Sequence, residues 1–193
     1  ANNIMIELNQ DMAIARTLVQ SFSEYQDFQE FKMQIVYFKM LKNVLENNSQ
    51  LLNCALNFEL FAIDKNYDKD FGRIRKIFFK ESGLINERID TLDLEGDSIN
   101  GQYFNIKVNP REEFSEPYSF SPTGRKKDRT LISSISIPIL DKNHFIGLLQ
   151  FDVDLERFKS MINEIQPYDE SYGFLISNKG VYVSHPVDSI QNQ

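Results

Sequence analysis

Thr130-Leu131-Ile132-Ser133-Ser134-Ile135-Ser136-Ile137-Pro138-Ile139-Leu140 is followed, after Asp141-Lys142-Asn143 and His144, by Phe145-Ile146-Gly147-Leu148-Leu149-Gln150-Phe151-Asp152-Val153. Two runs rich in β-branched, aliphatic and aromatic residues with a polar break between them read as two strong strands joined by a turn. On the C-terminal side, Leu155, Phe158, Met161, Ile162 and Ile165 return to helical spacing, with Asp154 as the expected N-cap and Gln166-Pro167 as the stop. Tyr172–Ser177 and Val181–Ser184 then bracket Asn178-Lys179-Gly180 as a further hairpin.

On the N-terminal side lies a polar, turn-rich segment from Asp93 to Gly124. Before it, residues 73–80 and 84–92 flank Ser82-Gly83 as a hairpin, and residues 52–63 end in an alternation from Phe58 to Ile63 that predicts a strand. Upstream of Gln50 the texture changes. Ile4, Leu8, Met12, Ala15, Leu18, Val19 and Phe22 form one stripe of an amphipathic helix, and its roughly 21 residues span about 30 Å. A second helical face carries Phe31, Ile35, Phe38, Leu41, Val44 and Leu45 and stops at Asn47-Asn48-Ser49. Helices, then a mostly antiparallel sheet, then a helix and the start of a second sheet make an α+β protein rather than a βαβ one.

The 193 residues carry 21 Lys and Arg against 28 Asp and Glu, a net charge of -7. This acidity argues against a nucleic-acid partner, which needs clustered cations. The one basic cluster, Arg125, Lys126, Lys127 and Arg129, follows the turn signal Ser121-Pro122-Thr123-Gly124 and reads as a solvated loop tip. No apolar run approaches the roughly 20 residues of a membrane span. Cys54, the sole cysteine, has no partner for an internal bridge. The chain begins at Ala1 directly in a helical pattern and closes on a strand just completed, so it is expected to be a piece of a longer protein.

Familiar reaction chemistries find little support. Asp64-Lys65-Asn66-Tyr67-Asp68-Lys69-Asp70 places oxygens at alternate positions, but Lys69 stands where a calcium loop needs Gly and Arg75 where it needs the bidentate Glu. There is no Gly-rich phosphate loop and no nucleophile elbow. His144 falls in a turn and His185 next to Pro186, which suits neither a zinc site nor a hydrolase pairing with Asp152. Neither catalytic residues, nor a metal, nor a cofactor are expected. Asp152 reads either as a partly exposed strand-end carboxylate or as a charge in a pocket wall seeking a cation.

Ser134 to Ile139 followed by Ile146 to Leu155, with Glu116-Pro117-Tyr118 and a turn at Thr123-Gly124 upstream, and Tyr172 to Ser177, Gly180 and His185-Pro186 downstream, resembles the double Cache (dCache) sensor domains of bacterial chemoreceptors and sensor histidine kinases. The resemblance covers nearly the whole chain. It implies long N-terminal helices (1–50), a membrane-distal PAS-like ligand-binding subdomain with its connecting helix (51–165), and the start of a membrane-proximal PAS-like subdomain (166–193). It implies an extracytoplasmic, periplasmic part of an inner-membrane receptor, membrane-anchored in the full protein, non-enzymatic and dimeric through the N-terminal helix. The ligand is expected to be a small molecule: an amine, an amino acid or a small organic acid.

In amino-acid-binding members an Arg-x-Trp element holds the ligand carboxylate, Tyr and Asp two residues apart follow the proline, and an Asp at the strand end takes the ammonium. Here Asp152 and Tyr118 match, and Phe120 stands where the second acid would be. The chain has no Trp. Tyr103 is the aromatic nearest that position, and Gly101 occupies the place of the Arg. Lys107 or Arg111 is either a replacement cation or a surface residue of a polar loop, and Tyr103, Tyr118 and Phe120 are either pocket walls or core aromatics. An aromatic-walled concavity with one carboxylate suits a ligand carrying an amine. The alternative is a dimerisation or spacer module with a degenerate pocket, sensing through a partner protein.

Overall fold

A computed structural model describes residues 2–23, 31–121, 124–126, 129–165 and 168–186. Helices α1 (Asn2–Ser23) and α2 (Phe31–Asn47) precede strand β1 (Leu51–Glu59). A short helical turn α3 (Leu60–Ile63) leads to the hairpin β2 (Arg73–Glu81) and β3 (Leu84–Leu92). Helix α4 (Gln102–Val108) and the short strands β4 (Glu113–Phe114) and β5 (Tyr118–Phe120) come next. The long hairpin β6 (Thr130–Asp141) and β7 (His144–Asp154), helix α5 (Phe158–Asn163) and the small hairpin β8 (Leu175–Ile176) and β9 (Tyr182–Ser184) complete the order.

Seven strands form one antiparallel sheet in the order β3-β2-β1-β7-β6-β4, with β5 also on β6. Closing the hairpin at the outset of the sequence needs two left-handed residues, and Lys142 (φ 46°) and Asn143 (φ 70°) supply them. Ser82 (φ 53°) and Gly83 (φ 77°) do the same between β2 and β3. At Gly147 a side chain is excluded because a β-carbon there would strike the Asn57 carbonyl oxygen of β1. Bringing these two central strands together therefore calls for glycine at this position.

Side chains alternate between the two faces, so the sheet has two different environments. Cys54, Leu56, Phe78, Ile135, Ile137, Leu149 and Phe151 point toward the helices, where Ala15, Leu18, Val19 and Phe22 of α1 and Tyr37, Leu41 and Leu45 of α2 cover them. The α1 stripe is thus largely spent on its own sheet. Ile35, expected on the buried face of α2, is exposed, and Tyr37 takes its place in the core. Cys54 lies at the bottom of this layer with Sγ 3.5 Å from the Leu41 carbonyl oxygen, and burial pushes its thiol well above the ordinary range. The folded domain should accordingly resist thiol-specific labelling at pH 8 and react within minutes in denaturant, as followed by release of a chromogenic leaving thiol.

Three local expectations are corrected. The strand ending at residue 63 stops at Glu59, because Leu60–Ile63 turns helical once the chain leaves its β2 and β7 neighbours. The polar segment 93–124 contains α4 and two short strands held by pairing with β6. Asp154 is the last residue of β7, and its Oδ1 accepts the Glu156 N–H at 2.9 Å, a turn rather than the cap of α5, whose N-cap is Arg157. The stop at Gln166-Pro167, the Pro122-Thr123 part of the turn signal, Lys127 and residues 187–193 lie outside the described residues.

Candidate functional site

The sheet face turned away from the long helices carries a row of polar groups that cross-strand register brings together. Asp152 on β7 stands opposite Asn53 on β1 and Ser134 on β6. Ser134 Oγ donates to Asp152 Oδ1 at 2.5 Å, Asn53 also hydrogen-bonds the carboxylate, and Tyr118 Oη lies 2.7 Å from Ser134 Oγ. Phe120 meets Tyr118 edge to face, with ring centroids 6.2 Å apart. Ser115 braces the arrangement, since its Oγ accepts the Ser134 N–H at 2.8 Å and its carbonyl accepts Ser133 Oγ–H at 2.5 Å.

Asp152 is only 7% exposed. Burial pushes its carboxyl above the usual carboxylate range, while Ser134, Asn53 and the field of Arg75 pull it back. Among the described residues no Lys or Arg forms an ion pair with it. The Tyr118 hydroxyl is raised to about 12, first by burial and then by the neighbouring Asp152 charge. A buried carboxylate held only by neutral donors keeps capacity for a cation.

The next rows continue the polar face. Asn57 Nδ2 donates to Gln150 Oε1 at 3.1 Å, and Gln150 Nε2 reaches Ser136 Oγ at 3.4 Å and Gln102 Oε1 of α4 at 3.5 Å. At the far end of β1 sits a separate charged cluster. Lys107 Nζ bonds Glu59 Oε2 at 2.9 Å, Asp97 Oδ2 at 3.2 Å and the Asp70 carbonyl at 2.6 Å. Tyr103 Oη donates to Glu59 Oε1 at 2.7 Å, its ring packs edge-on to Phe145, and the Arg73 guanidinium lies 3.9 Å above it. Burial raises the Glu59 carboxyl, although Lys107 and Tyr103 work against that rise.

The six residues singled out from the sequence therefore divide. Asp152, Tyr118 and Phe120 come together. Tyr103 and Lys107 form the Glu59 cluster six residues further along β1, about 20 Å away at strand rise. Arg111 is turned to Glu113 (2.6 Å) and to the carbonyls of Asn105 and Asn109. Asn53 and Ser134 were not foreseen, because only cross-strand register places them beside the acid. Neither was Arg75, which shares Asn57's register on β2 and so belongs to the same face. The alternation of charge and hydrophobe in Arg73-Ile74-Arg75 was the one available signal. A separate apolar groove of about 250 Å³, lined by Ile4, Leu8, Pro117, Ser133, Leu155 and Val183 among others, opens on the helix side of β6 and does not include Asp152.

Residues 37–160 match the family model of the methyl-accepting chemotaxis protein-like first PDC sensor domain. The chain belongs to this family. The sensor domain shares its fold with the extracellular domain of the candidate histidine kinase mmHK1S-Z2, at a TM-score of 0.77 and 24% identity over 100% of this chain and 71% of that one. The periplasmic sensory domain of the Campylobacter jejuni chemoreceptor Tlp1 aligns at 0.62 with 18% identity, over 99% and 68%. The ligand-binding domain of the Pseudomonas aeruginosa PAO1 amino acid chemoreceptor PctC, solved in complex with GABA, aligns at 0.62 with 18% identity, over 99% and 72%. No curated protein sequence matches. The expected dCache-type architecture and membership of a receptor sensor family are thus both found. The domains whose fold it shares include an extracellular one of a histidine kinase and a periplasmic one of a chemoreceptor. None of its described helices is long and apolar enough to cross a membrane.

Proposed function

We propose that this sensor domain binds a small ligand bearing an ammonium group at Asp152 and passes the event to helix α1. The observation that carries the reading is the buried Asp152 carboxylate, hydrogen-bonded by Ser134 and Asn53 but ion-paired with no described cation. Tyr118, reaching the same Ser134 hydroxyl from a part-exposed position, is the gate and wall of the site. Relatives solved with GABA, L-serine and L-norvaline support an amine-bearing ligand.

The relay is supported by how α1 is fastened. Asp11, 1% exposed in the middle of α1, accepts Arg157 Nη2 at 2.7 Å and Gln50 Nε2 at 2.9 Å. Gln50 in turn accepts the Asp154 N–H through its carbonyl. The helix is bolted to the end of the strand that carries Asp152, so a ligand that moves β7 biases α1 only by its differential affinity for the two positions. In this reading residues 1–50, 51–165 and 166–193 are helices, distal ligand subdomain and start of the proximal subdomain. The full receptor is anchored in the membrane and pairs through the outer side of α1, where Met5 and Ile6 are exposed. The domain performs no catalysis.

The test is a thermal-shift screen of amines, amino acids and small acids on the domain and on Tyr118→Phe and Ser134→Ala variants. Compounds carrying an ammonium group should stabilise the wild type, and Ser134→Ala should weaken them about 3- to 10-fold through loss of one charge-assisted contact network. Stabilisation by acids lacking an amine, unaffected by either variant, would falsify the assignment.

A further inference from the structure

We propose that Arg75 receives the carboxylate of the ligand whose ammonium Asp152 holds, so that the site reads both ends of a small zwitterion. The inference rests on the reading of Asp152 as the amine position and adds the second anchor, from strand β2 rather than from the Gly101–Tyr103 segment.

Register fixes the geometry. Arg75 pairs with Asn57, and Asn57 and Asn53 are four residues apart on β1, so Arg75 and Asp152 project from one face with a single strand between them. Strand spacing and rise put their Cα atoms roughly 16 Å apart, a gap that a long guanidinium side chain and a small ligand close between them. The charge of Arg75 helps to pull the Asp152 carboxyl back down against the effect of burial.

Charge count points the same way. On β3, Asp90 takes Arg75 Nη2 at 2.9 Å and Arg88 Nε at 3.1 Å. Two guanidinium groups on one carboxylate leave a positive charge in surplus at this edge of the face. Asp90 is held below the usual carboxylate range by those contacts, in spite of burial that pushes it up. Arg75 Nε is itself buried with no hydrogen-bond partner among the described residues, and an unpaired donor of this kind is costly unless something accepts from it. The guanidinium fork, engaged on one nitrogen only by Asp90, is suited to a planar carboxylate. The other cations considered for this role are committed: Lys107 to Glu59 and Asp97, Arg111 to Glu113.

The experiment compares each acid with its own decarboxylated amine by calorimetric titration: GABA against propylamine, and L-alanine against ethylamine. In the wild type at least one acid should bind about 10- to 100-fold more tightly than its amine, the worth of one hydrogen-bonded charge pair. Arg75→Gln should bring that ratio to within about 2-fold while leaving amine affinity in place, and Arg75→Lys should fall between, because it keeps the charge and loses the fork. Melting curves establish that both variants fold, which Arg88 favours by keeping a cation on Asp90. A ratio unchanged in Arg75→Gln overturns this inference and leaves the Asp152 reading standing. Amines that fail to bind the wild type, or that bind Asp152→Asn equally well, overturn the Asp152 reading itself.

Discussion

Asp152→Asn should make the unliganded domain more stable at neutral pH and at the same time abolish stabilisation by its ligand. The physical cause is a carboxylate kept in a nearly dry site for binding rather than for folding. Burial raises the Asp152 pKa above that of an unfolded aspartate, so the folded state holds its proton more tightly than the unfolded state does. The domain therefore loses stability as pH rises from about 4 through the folded pKa, and the loss is constant above it. Asparagine has no charge to desolvate and still offers an oxygen to the Ser134 hydroxyl. The gain should be on the order of 1–2 kcal/mol at pH 7.5, or roughly 2–8 °C in melting temperature for a chain of this size, and should vanish below about pH 4. The groups that face Asp152 are Asn53, Ser134 and, at longer range, Arg75 and Tyr118, whose hydroxyl is raised to about 12. Melting curves from pH 3.5 to 8 with and without an amine ligand check it. A lower melting temperature for the variant at neutral pH would mean that the carboxylate serves the fold and not the ligand.

Lys107→Met is expected to cost about 2–4 kcal/mol at pH 8. Lys107 is the cation that meets both Glu59, fully buried, and Asp97, which is 4% exposed along its side chain. Removing it leaves Glu59, among the described residues, with the Tyr103 hydroxyl alone, while Arg73 still serves Asp97. The Glu59 carboxyl already sits above its ordinary range because of burial, and the hydrogen bond and charge of Lys107 are what restrain that rise. In the variant it rises further, so Glu59 takes up a proton, and the penalty grows as pH climbs through that higher pKa and shrinks toward pH 5. Urea titrations of Lys107→Met and of Lys107→Met with Glu59→Gln should show the second change recovering at least half of the loss at pH 8. No recovery would assign the loss to the packing of α4 over the sheet instead of to the stranded charge. Because this cluster lies at the opposite end of β1 from Asp152, ligand affinity at pH 7 should change less than about 2-fold in the double variant.

The candidate site was legible in the sequence to the extent that its residues are local. Asp152 could be seen as an acid at the end of an apolar strand, and Tyr118 and Phe120 as aromatics next to Pro117. Tyr103 and Lys107 are four residues apart on one helical face and were reasonable partners for Asp152 in a linear reading. They point instead to Glu59, a residue 44 and 48 positions away respectively. The short helix that carries them was hidden in a polar stretch that reads as turns, since α4 owes its position to Ile106 packing with Phe145 and Leu148. Asn53, Ser134 and Arg75 carry no signature of their own. Their meaning comes from which residue stands opposite on the neighbouring strand, and a shift of one residue would turn each to the other face.

What the sequence by itself determined is the order and kind of elements: an amphipathic N-terminal helix, tight hairpins at Ser82-Gly83 and Lys142-Asn143, an antiparallel sheet, and an acid at the end of its central strand. Hydrophobic period and turn chemistry are local properties, and they are written within a few residues of where they act. Only the tertiary structure decided which charges meet. It set Lys107 on Glu59, bolted Asp11 of α1 to Arg157 beyond β7, and put Asp152 and Arg75 on one face of the sheet with a single strand between them. Those outcomes depend on register between strands far apart in the chain and on how much water each charge loses, and both quantities exist only once the sheet has closed.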